Sequence, residues 1–268
     1  MLRPRIIPCL LIRNAGLVKT VRFESGKYVG DPINAVKIFN EKEVDELMVL
    51  DIDSSARETE PDYDRIRNLA AECRMPLCYG GGVKTVEQVD RIVGLGVEKV
   101  AISSAAIERP KLVTEIASVI GSQSVVAVLD VKRRGSRFEV WTHNATRATG
   151  RDPLQLARLL EDAGVGEIVV NDVDNDGVMK GYDLALAEQV YRTVSVPITI
   201  LGGAGKLDHI RELVRALGPV GAAAGSLFVF KGIYRAVLIN YPNRQEKESL
   251  AASAVFKPKD ANAHEVTS

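Results

Sequence analysis

Short, continuously apolar, β-branched segments alternate with longer segments of helical periodicity from the N-terminus to about residue 240. Such runs are typical of parallel strands that are covered on both faces. The eight strand candidates are residues 6–12, 46–52, 76–80, 99–103, 124–131, 167–173, 197–201 and 220–224, and the helical candidates are 31–44, 62–72, 86–95, 110–120, 152–163, 183–192, 207–217 and 232–238. Eight strand–helix units predict one α/β domain, a single (β/α)8 TIM barrel over residues 1–242, with a doubly wound open sheet as the alternative. Residues 243–268 are expected to form a polar, mobile tail.

The two halves of the chain align on each other at a nearly constant offset. The coinciding features are Gly81-Gly82 with Gly202-Gly203 and Asp51 and Asp53 with Asp172 and Asp174, all at an offset of 121, and residues 6–13 with 125–132 at an offset of 119. The last pair of segments places Leu11 opposite Asp130. Two duplicated half-barrels of four strands each therefore describe the chain economically.

Composition excludes several classes of protein. The 35 Lys+Arg balance the 35 Asp+Glu, so the chain lacks the basic field that nucleic acid attracts. The longest nearly apolar stretch, residues 220–230, is about half of the roughly 20 residues that a bilayer-spanning helix requires. No signal peptide is recognisable, and three cysteines without metal-type spacing suit a reducing compartment. We therefore expect a cytoplasmic protein without nucleic-acid or membrane partners.

Two glycine turns at strand ends are candidate phosphate sites. Gly81-Gly82 and Gly202-Gly203 let the backbone approach an anion closely, and the next strand of each half ends in a small hydroxylated turn. These turns are Ser103-Ser104 and Gly225-Ser226. Each glycine pair alone is more typical of a tight turn, but the twofold-related placement favours a ligand with two phosphates.

Carboxylates at strand ends are the candidates for proton transfer. Asp130 lies within an apolar run, where a low dielectric raises a carboxyl pKa into a useful range, although a structural aspartate is the alternative. Asp176-Gly177 could accept a substrate hydroxyl. The acidic segment around Asp176 lacks the closing Glu of a calcium loop, so we predict neither a metal nor a cofactor. His143 and His209 are expected to be surface or capping residues.

Four charged residues lie at or just before strand starts and form a second set of candidates. Arg5, Glu46, Lys99 and Glu167 alternate in sign around the predicted floor of the barrel. A solvated rim that stabilises the fold is the ordinary interpretation of such a ring. A ring of this kind could also plug the barrel axis.

Residues 1 to about 238 contain a series of specific motifs in a fixed order: RIIPCL, LVKT, GDP, DELMVLDID, GGGVKTVEQV, EKVAISSAAI, GSQSVVAVLDVK, ATG, GVGEIVV, DNDGVMKGYD and GGAGKLDH. With these motifs the chain resembles the cyclase subunit of imidazole glycerol phosphate synthase. The resemblance implies a bisphosphorylated ribulosyl substrate at the mouth and ammonia delivered through the barrel from a glutaminase docked on the floor. The products would be imidazole glycerol phosphate and an aminoimidazole carboxamide ribotide.

The resemblance also assigns roles to residues. It implies phosphate or substrate binding by the two glycine turns, by their hydroxylated partners and by Lys19, and a base at Asp130. It further implies that Arg5, Glu46, Lys99 and Glu167 are a salt-bridged ammonia gate, which reverses the ordinary interpretation of that ring.

The chain departs from the family pattern at the mouth. The first strand reads Cys9-Leu10-Leu11 where the family has Cys-Leu-Asp, and Leu11 cannot transfer a proton. Loss of one positioned acid or base typically removes about 10²–10⁴ in rate. A small polar residue of the family is replaced by Leu201, and a threonine by Asn171. The sequence therefore predicts a barrel that passes ammonia but cyclises feebly or not at all.

The segments LLIRNAGLVKTVRF and GDPINAVKIFNEKEVDELMVLDID are similar to a paralogous branch found with surface-polysaccharide genes. That resemblance implies an ATP-dependent amidotransferase that makes an acetamidino sugar as the ammonia acceptor. A working histidine-pathway cyclase, with Asp51 or Asp176 sharing the proton transfers, remains the alternative. A stand-alone isomerase of the same pathway is a third possibility, but it would also need a carboxylate at Leu11.

Overall fold

The computed structural model describes residues 3–57 and 59–254. The strands are β1 Arg5–Arg13, β2 Gly16–Val21, β3 Glu24–Gly30, β4 Leu47–Asp51, β5 Leu77–Gly80, β6 Lys99–Ile102, β7 Val125–Arg134, β8 Arg137–Thr142, β9 Arg147–Ala148, β10 Glu167–Asp172, β11 Ile198–Leu201, β12 Gly221–Ala224, β13 Phe230–Lys231 and β14 Ala236–Val237. The helices are α1 Pro32–Glu41, α2 Ser54–Arg57, α3 Tyr63–Glu72, α4 Val86–Gly94, α5 Ser104–Glu108, α6 Lys111–Ile120, α7 Pro153–Asp162, α8 Leu184–Thr193, α9 Leu207–Leu217, α10 Ser226–Val229 and α11 Arg244–Ala252, with a 3₁₀ turn at Ser122–Ser124.

Eight strands pair in parallel and close into a barrel. The order around the barrel is β1, β4, β5, β6, β7, β10, β11 and β12, and β12 pairs with β1. Pairing between β7 and β10 joins the two halves. The predicted (β/α)8 barrel is thus confirmed, and the open-sheet alternative is wrong because no edge strand remains among these eight.

Several helices begin where the sequence predicts a start. Asp31, Asp62, Asp152 and Asp183 each accept a hydrogen bond from an amide in the first turn of the helix that follows. A carboxylate at this position satisfies amides that have no partner within the helix.

Apolar side chains form two separate layers. The larger layer lies between the strands and the surrounding helices. The smaller one fills the barrel interior and consists of Ile7, Cys9, Met48, Cys78, Ala101, Val126, Val128, Val169, Leu201 and Ala223, with Leu11 and Leu50 packed against it. The interior is therefore a packed apolar column between two polar ends.

The duplication extends to single hydrogen bonds. The Asn14 amide donates to Asp53 Oδ2 at 3.1 Å in the first half, and the Arg133 amide donates to Asp174 Oδ2 at 2.7 Å in the second. In each half a strand of the barrel continues into an antiparallel hairpin, β1 into β2 and β7 into β8. The two halves thus use the same device to fix the loops at the mouth.

Two predicted elements near the C-terminus are corrected. Residues 232–238, predicted as a helix, form the turn and second strand of the β13–β14 hairpin. The expected mobile tail contains α11, whose Leu250 is fully buried in the outer core and whose Lys247 binds Asp45 at 3.0 Å. Leu250 is the one residue of α11 that is buried, so the helix has no apolar stripe and its amphipathic signal in the sequence is weak. The rest of the expected tail, residues 255–268, lies outside the described residues.

In the described ranges, no helix has the length and apolarity that crossing a bilayer would require.

Candidate functional site

A cavity of about 160 Å³ opens at the carboxyl ends of the strands and is called the mouth cavity here. It brings together most residues that the sequence assigns to the site, namely Lys19, Gly81, Gly82, Ser103, Ser104, Asp130, Asp176 and Gly225. Leu11, Leu201 and Asn171, the three departures from the family pattern, line the same cavity.

Four predicted phosphate or substrate residues, Gly177, Gly202, Gly203 and Ser226, do not line the mouth cavity. Instead, the Gly181 amide donates to the Gly203 carbonyl at 2.8 Å. A Cβ at Gly202 would collide with the backbone of Asp172. These glycines therefore permit close backbone packing, and phosphate binding at this second turn stays a prediction.

The first glycine turn has the same packing requirement but faces the cavity. Gly81 has a φ of +122°, and a Cβ there would collide with the Asp51 backbone. Ser103 Oγ is buried without a hydrogen-bond partner among the described residues. An unpaired buried hydroxyl beside a glycine turn suits a site that accepts a polar ligand.

Asp130 lies at the bottom of the mouth cavity and is almost fully buried. Burial raises its pKa to about 7, and the charge of Asp176 acts in the same direction. The opposing influences are a 2.9 Å hydrogen bond from Asn171 Nδ2 and the charge of Lys132. A carboxyl group with this pKa can exchange a proton near neutral pH.

The immediate neighbours of Asp130 are poor in proton-transfer groups. Asn171 pairs with Asp130 in the β7–β10 register, and Leu201 pairs with Asn171 on the next strand. The nearest residues on β10 and β11 are thus an amide and a hydrocarbon side chain. Leu11 is half-buried on β1, four strands away from β7 around the barrel, and lines the same cavity.

Other carboxylates do reach the mouth cavity, and two of them were named as substitutes. Asp51 accepts from the Asp53 and Ser54 amides at 3.1 Å, so it shapes its own loop. Asp176 accepts from Thr20 Oγ1 at 2.8 Å. Burial raises the pKa of Asp176, while Thr20 and the charge of Lys19 oppose that rise.

Lys19 is placed on β2 and is buried at the mouth. Its Nζ donates to the Cys9 carbonyl at 2.5 Å. Gly225 leaves room for this ammonium group, because a Cβ there would collide with it. Burial lowers the pKa of Lys19, and the charge of Asp176 opposes that shift. Lys19 is thus held inside the site.

One histidine was misplaced by sequence reasoning. His143 was expected at the surface, but it is half-buried and lines the mouth cavity, and its amide donates to Ser104 Oγ at 3.0 Å. His209, expected as a surface or capping residue, is buried on α9, and its Nδ1 accepts at 3.1 Å from the amide of Gly205, which lies just before that helix. The short β8–β9 hairpin, whose turn contains His143, leaves no clear signal in the periodicity.

The four charged residues at the opposite end form one connected group, called the floor cluster here: Arg5, Glu46, Lys99 and Glu167. Arg5 bridges Glu46 at 2.5 Å and Glu167 at 2.7 Å, and Lys99 bridges both glutamates at 2.9 Å. Both glutamates are buried, whereas the two cations are partly exposed. The four groups are therefore paired with one another rather than separately solvated on a rim, and the stabilising role of the ordinary interpretation stays a prediction.

The floor cluster is electrostatically self-consistent. Burial disfavours the charge on Glu167, but hydrogen bonds and charges from Arg5 and Lys99 outweigh it and lower its pKa. For Lys99, burial is likewise outweighed by the two glutamates, and the pKa is raised. Ion pairing therefore holds Arg5, Lys99 and Glu167 in their charged forms near neutral pH.

Sequence reasoning missed one polar residue beside the floor cluster. Thr199 is fully buried on β11, and its Oγ1 donates to Glu167 Oε1 at 2.6 Å. The only available signal is a threonine at an inward-facing position of an apolar strand, which is too common to stand out.

Among residues 3–57 and 59–254, no group of three or more His, Cys, Asp or Glu side chains is arranged to hold a metal ion.

Fold and site define a duplicated (β/α)8 barrel with a polar mouth cavity and a charged floor. Residues 5–234 match the family described as histidine biosynthesis protein. A Vibrio vulnificus protein, provisionally named imidazole glycerol phosphate synthase subunit hisF3, is 58% identical over 92% of this chain and 96% of its own length. A Leptospira borgpetersenii protein with a similar provisional name is 54% identical over 93% and 99%.

A more distant relative carries the name without qualification. Imidazole glycerol phosphate synthase subunit HisF of Streptomyces coelicolor is 41% identical over 84% of this chain and 90% of its own length. The chain therefore belongs to the histidine biosynthesis protein family, as a HisF-like synthase subunit.

Proposed function

We propose that this HisF-like subunit binds and activates a glutaminase on its floor and conducts ammonia through the barrel to the mouth, with cyclase activity weak or lost. The observation that carries the proposal is the setting of Asp130. Asp130 accepts a hydrogen bond from the amide of Asn171, Leu11 and Leu201 line the same cavity, and the four charges of the floor cluster are all paired with one another.

The barrel interior suits a small neutral molecule. Above the floor cluster lie apolar side chains from Ile7 and Met48 to Val128 and Leu201. Neutral ammonia enters such surroundings without the large cost of burying an unpaired charge, whereas ammonium ions would meet that cost. The floor cluster closes this column against bulk solvent and would have to rearrange for ammonia to pass.

The position of the floor cluster favours a partner on the amino-terminal face of the barrel. Arg5 and Lys99 have side chains that are 29% and 20% exposed, so a docked subunit can reach them and shift their ion pairs. A glutaminase is the partner that supplies ammonia at that place. For the acceptor we propose an ATP-dependent sugar amidotransferase of surface-polysaccharide biosynthesis, on the resemblance stated above.

The turnover of the bisphosphorylated ribulosyl substrate tests this proposal. The purified chain, supplied with ammonium salt, is compared with the Streptomyces coelicolor relative under the same conditions. We expect turnover at least about 10² below that of the relative, because one positioned acid or base is missing. Mixing the chain with a glutaminase subunit of imidazole glycerol phosphate synthase type from the same genome should raise glutamine hydrolysis by that subunit. Equal cyclase rates, or no effect on the glutaminase, would contradict the proposal.

A working histidine-pathway cyclase is the second candidate, and Asp176 is the observation that favours it. This carboxyl group shares the mouth cavity with Asp130 and Lys19, and its pKa is raised. Asp176 could then supply the second proton transfer. Growth of a histidine auxotroph carrying this gene would support the cyclase, and loss of that growth in Asp176→Asn would assign the role.

A further inference from the structure

The two glutamates of the floor cluster are held differently. Within the described part of the chain, the Glu46 carboxylate accepts hydrogen bonds only from the two partly exposed cations, one from Arg5 and two from Lys99. Glu167 accepts from the same two cations and also from the hydroxyl of Thr199. Hydrogen bonds to charged groups are stronger than neutral ones, so the additional bond fixes Glu167 more firmly.

Thr199 is itself rigidly placed. It lies in the middle of the barrel sheet, pairs with Gly221 and has no exposed surface. A Cβ at Gly221 would collide with the Thr199 side chain, so the neighbouring strand leaves a space that the threonine occupies. A β-branched residue has few side-chain rotamers, which directs its hydroxyl towards Glu167.

We propose that Thr199 is a positioning residue that anchors Glu167, so that the floor opens by movement of Arg5, Lys99 and Glu46 while Glu167 stays in place. This proposal takes only one point from the function proposed above, namely that ammonia is the molecule that passes through the floor. Without the Thr199 hydroxyl, Glu167 would follow the cations, and the interior would open to solvent more often.

The three cysteines allow a direct measurement of this opening. Cys78 is fully buried in the interior, close enough to the floor cluster for Glu46, Glu167 and Lys99 to influence its pKa. Cys9 lines the mouth cavity, and Cys73 is partly exposed outside the barrel. Tryptic cleavage places the three in separate peptides, so mass spectrometry can follow their reaction with methyl methanethiosulfonate individually.

The test compares Thr199→Val and Thr199→Ser in the full chain. Thr199→Val removes the hydroxyl at nearly constant volume, and we expect Cys78 to react at least about fivefold faster, with Cys9 and Cys73 within about twofold of the unaltered protein. Thr199→Ser keeps the hydroxyl and should restore the original Cys78 rate. Thr142→Val, at a buried threonine on β8, is the matched control and should leave all three rates unchanged.

Two outcomes would overturn the proposal: an unchanged Cys78 rate in Thr199→Val, or a parallel rise at Cys9 and Cys78, which would indicate general loosening of the barrel. Thr199→Ala removes the same hydroxyl and serves as the test if the valine is not accommodated. The assay contains neither glutaminase nor ammonia. Its failure therefore leaves ammonia conduction open to its own test, and failure of conduction leaves the labelling result standing.

Discussion

The mouth and the floor of this barrel bury charged groups in opposite ways. At the floor, two carboxylates and two cations neutralise one another within 2.5–2.9 Å. At the mouth, Asp130 is buried with an amide as its hydrogen-bond donor, and Lys19 is buried against a backbone carbonyl. Ion pairing therefore keeps Glu167 and Lys99 charged in spite of their burial, whereas burial pushes Asp130 and Lys19 towards neutrality.

The same residue types, carboxylates and lysines, are therefore suited to a structural role at the floor and to a chemical role at the mouth. A neutralised cluster with fixed geometry suits a closure that opens only when a partner competes for its ion pairs. A carboxyl group with a pKa near neutrality, such as that of Asp130, suits proton exchange. On the function proposed above, cyclisation would need a second acid or base, and residue 11 is a hydrocarbon.

The largest expected effect is the loss of Glu167 from the floor. Glu167→Ala leaves Arg5 and Lys99 to share Glu46, so one positive charge is uncompensated beside an apolar interior, and we expect a loss of about 3–5 kcal/mol in the free energy of unfolding. Denaturant unfolding measures it. The control is Asp64→Ala, which breaks an exposed pair with Arg67 and should change stability by less than about 0.5 kcal/mol. Similar losses in the free energy of unfolding for Glu167→Ala and Asp64→Ala would mean that the floor cluster is no more important for stability than an exposed ion pair.

Placing a carboxylate at residue 11 tests the mouth of the barrel in the same way. Leu11 is half-buried and lines the mouth cavity, so Leu11→Asp should fold. We expect cyclase turnover to rise by about 10², the lower range for one positioned acid or base, because Leu201 and Asn171 remain. Leu11→Asn has a similar shape but no proton to exchange, and its rate should stay at the starting level. An equal rise in both variants would show that polarity rather than proton transfer limits the reaction.

Much of the fold could be predicted from periodicity and the internal repeat. The eight apolar runs all became barrel strands, because strands buried on both faces leave an unmistakable composition. The C-terminal part was wrong for a physical reason. Ile233 and Tyr234 in the β13–β14 hairpin are almost completely exposed, so the apolar spacing that predicted a helix there does not reflect a buried face. Helix α11 buries little, so its sequence has the polar composition of a tail.

The site was predictable where chemistry depends on strand ends and not where it depends on loops. Asp130 and the floor cluster follow from their places at the two ends of the strands. Gly202 and Gly203, by contrast, pack against residues 172–181, and the sequence alone could not separate close packing from ligand binding. Thr199 and His143 form hydrogen bonds with Glu167 and Ser104, which are distant from them in sequence, so no local sequence pattern indicates these contacts.

The smallest expected effect is a difference in pH dependence between the two ends. The pKa of Asp130 is about 7 in the fold and near its ordinary value in the unfolded chain, so the folded protein binds a proton that the unfolded chain releases. The contribution of Asp130 to stability is thus present in acid and is lost as pH rises towards 7. Glu167 has a lowered pKa, so its contribution to stability is present at neutral pH and is lost in acid.

Asp130→Asn removes the pH dependence that comes from Asp130 and leaves that of Glu167 in place. From pH 5 to pH 8, we expect the unaltered protein to lose about 2–3 kcal/mol relative to Asp130→Asn in denaturant unfolding. Parallel stability curves for the two proteins would mean that Asp130 is ionised throughout, and the mouth would then resemble the floor.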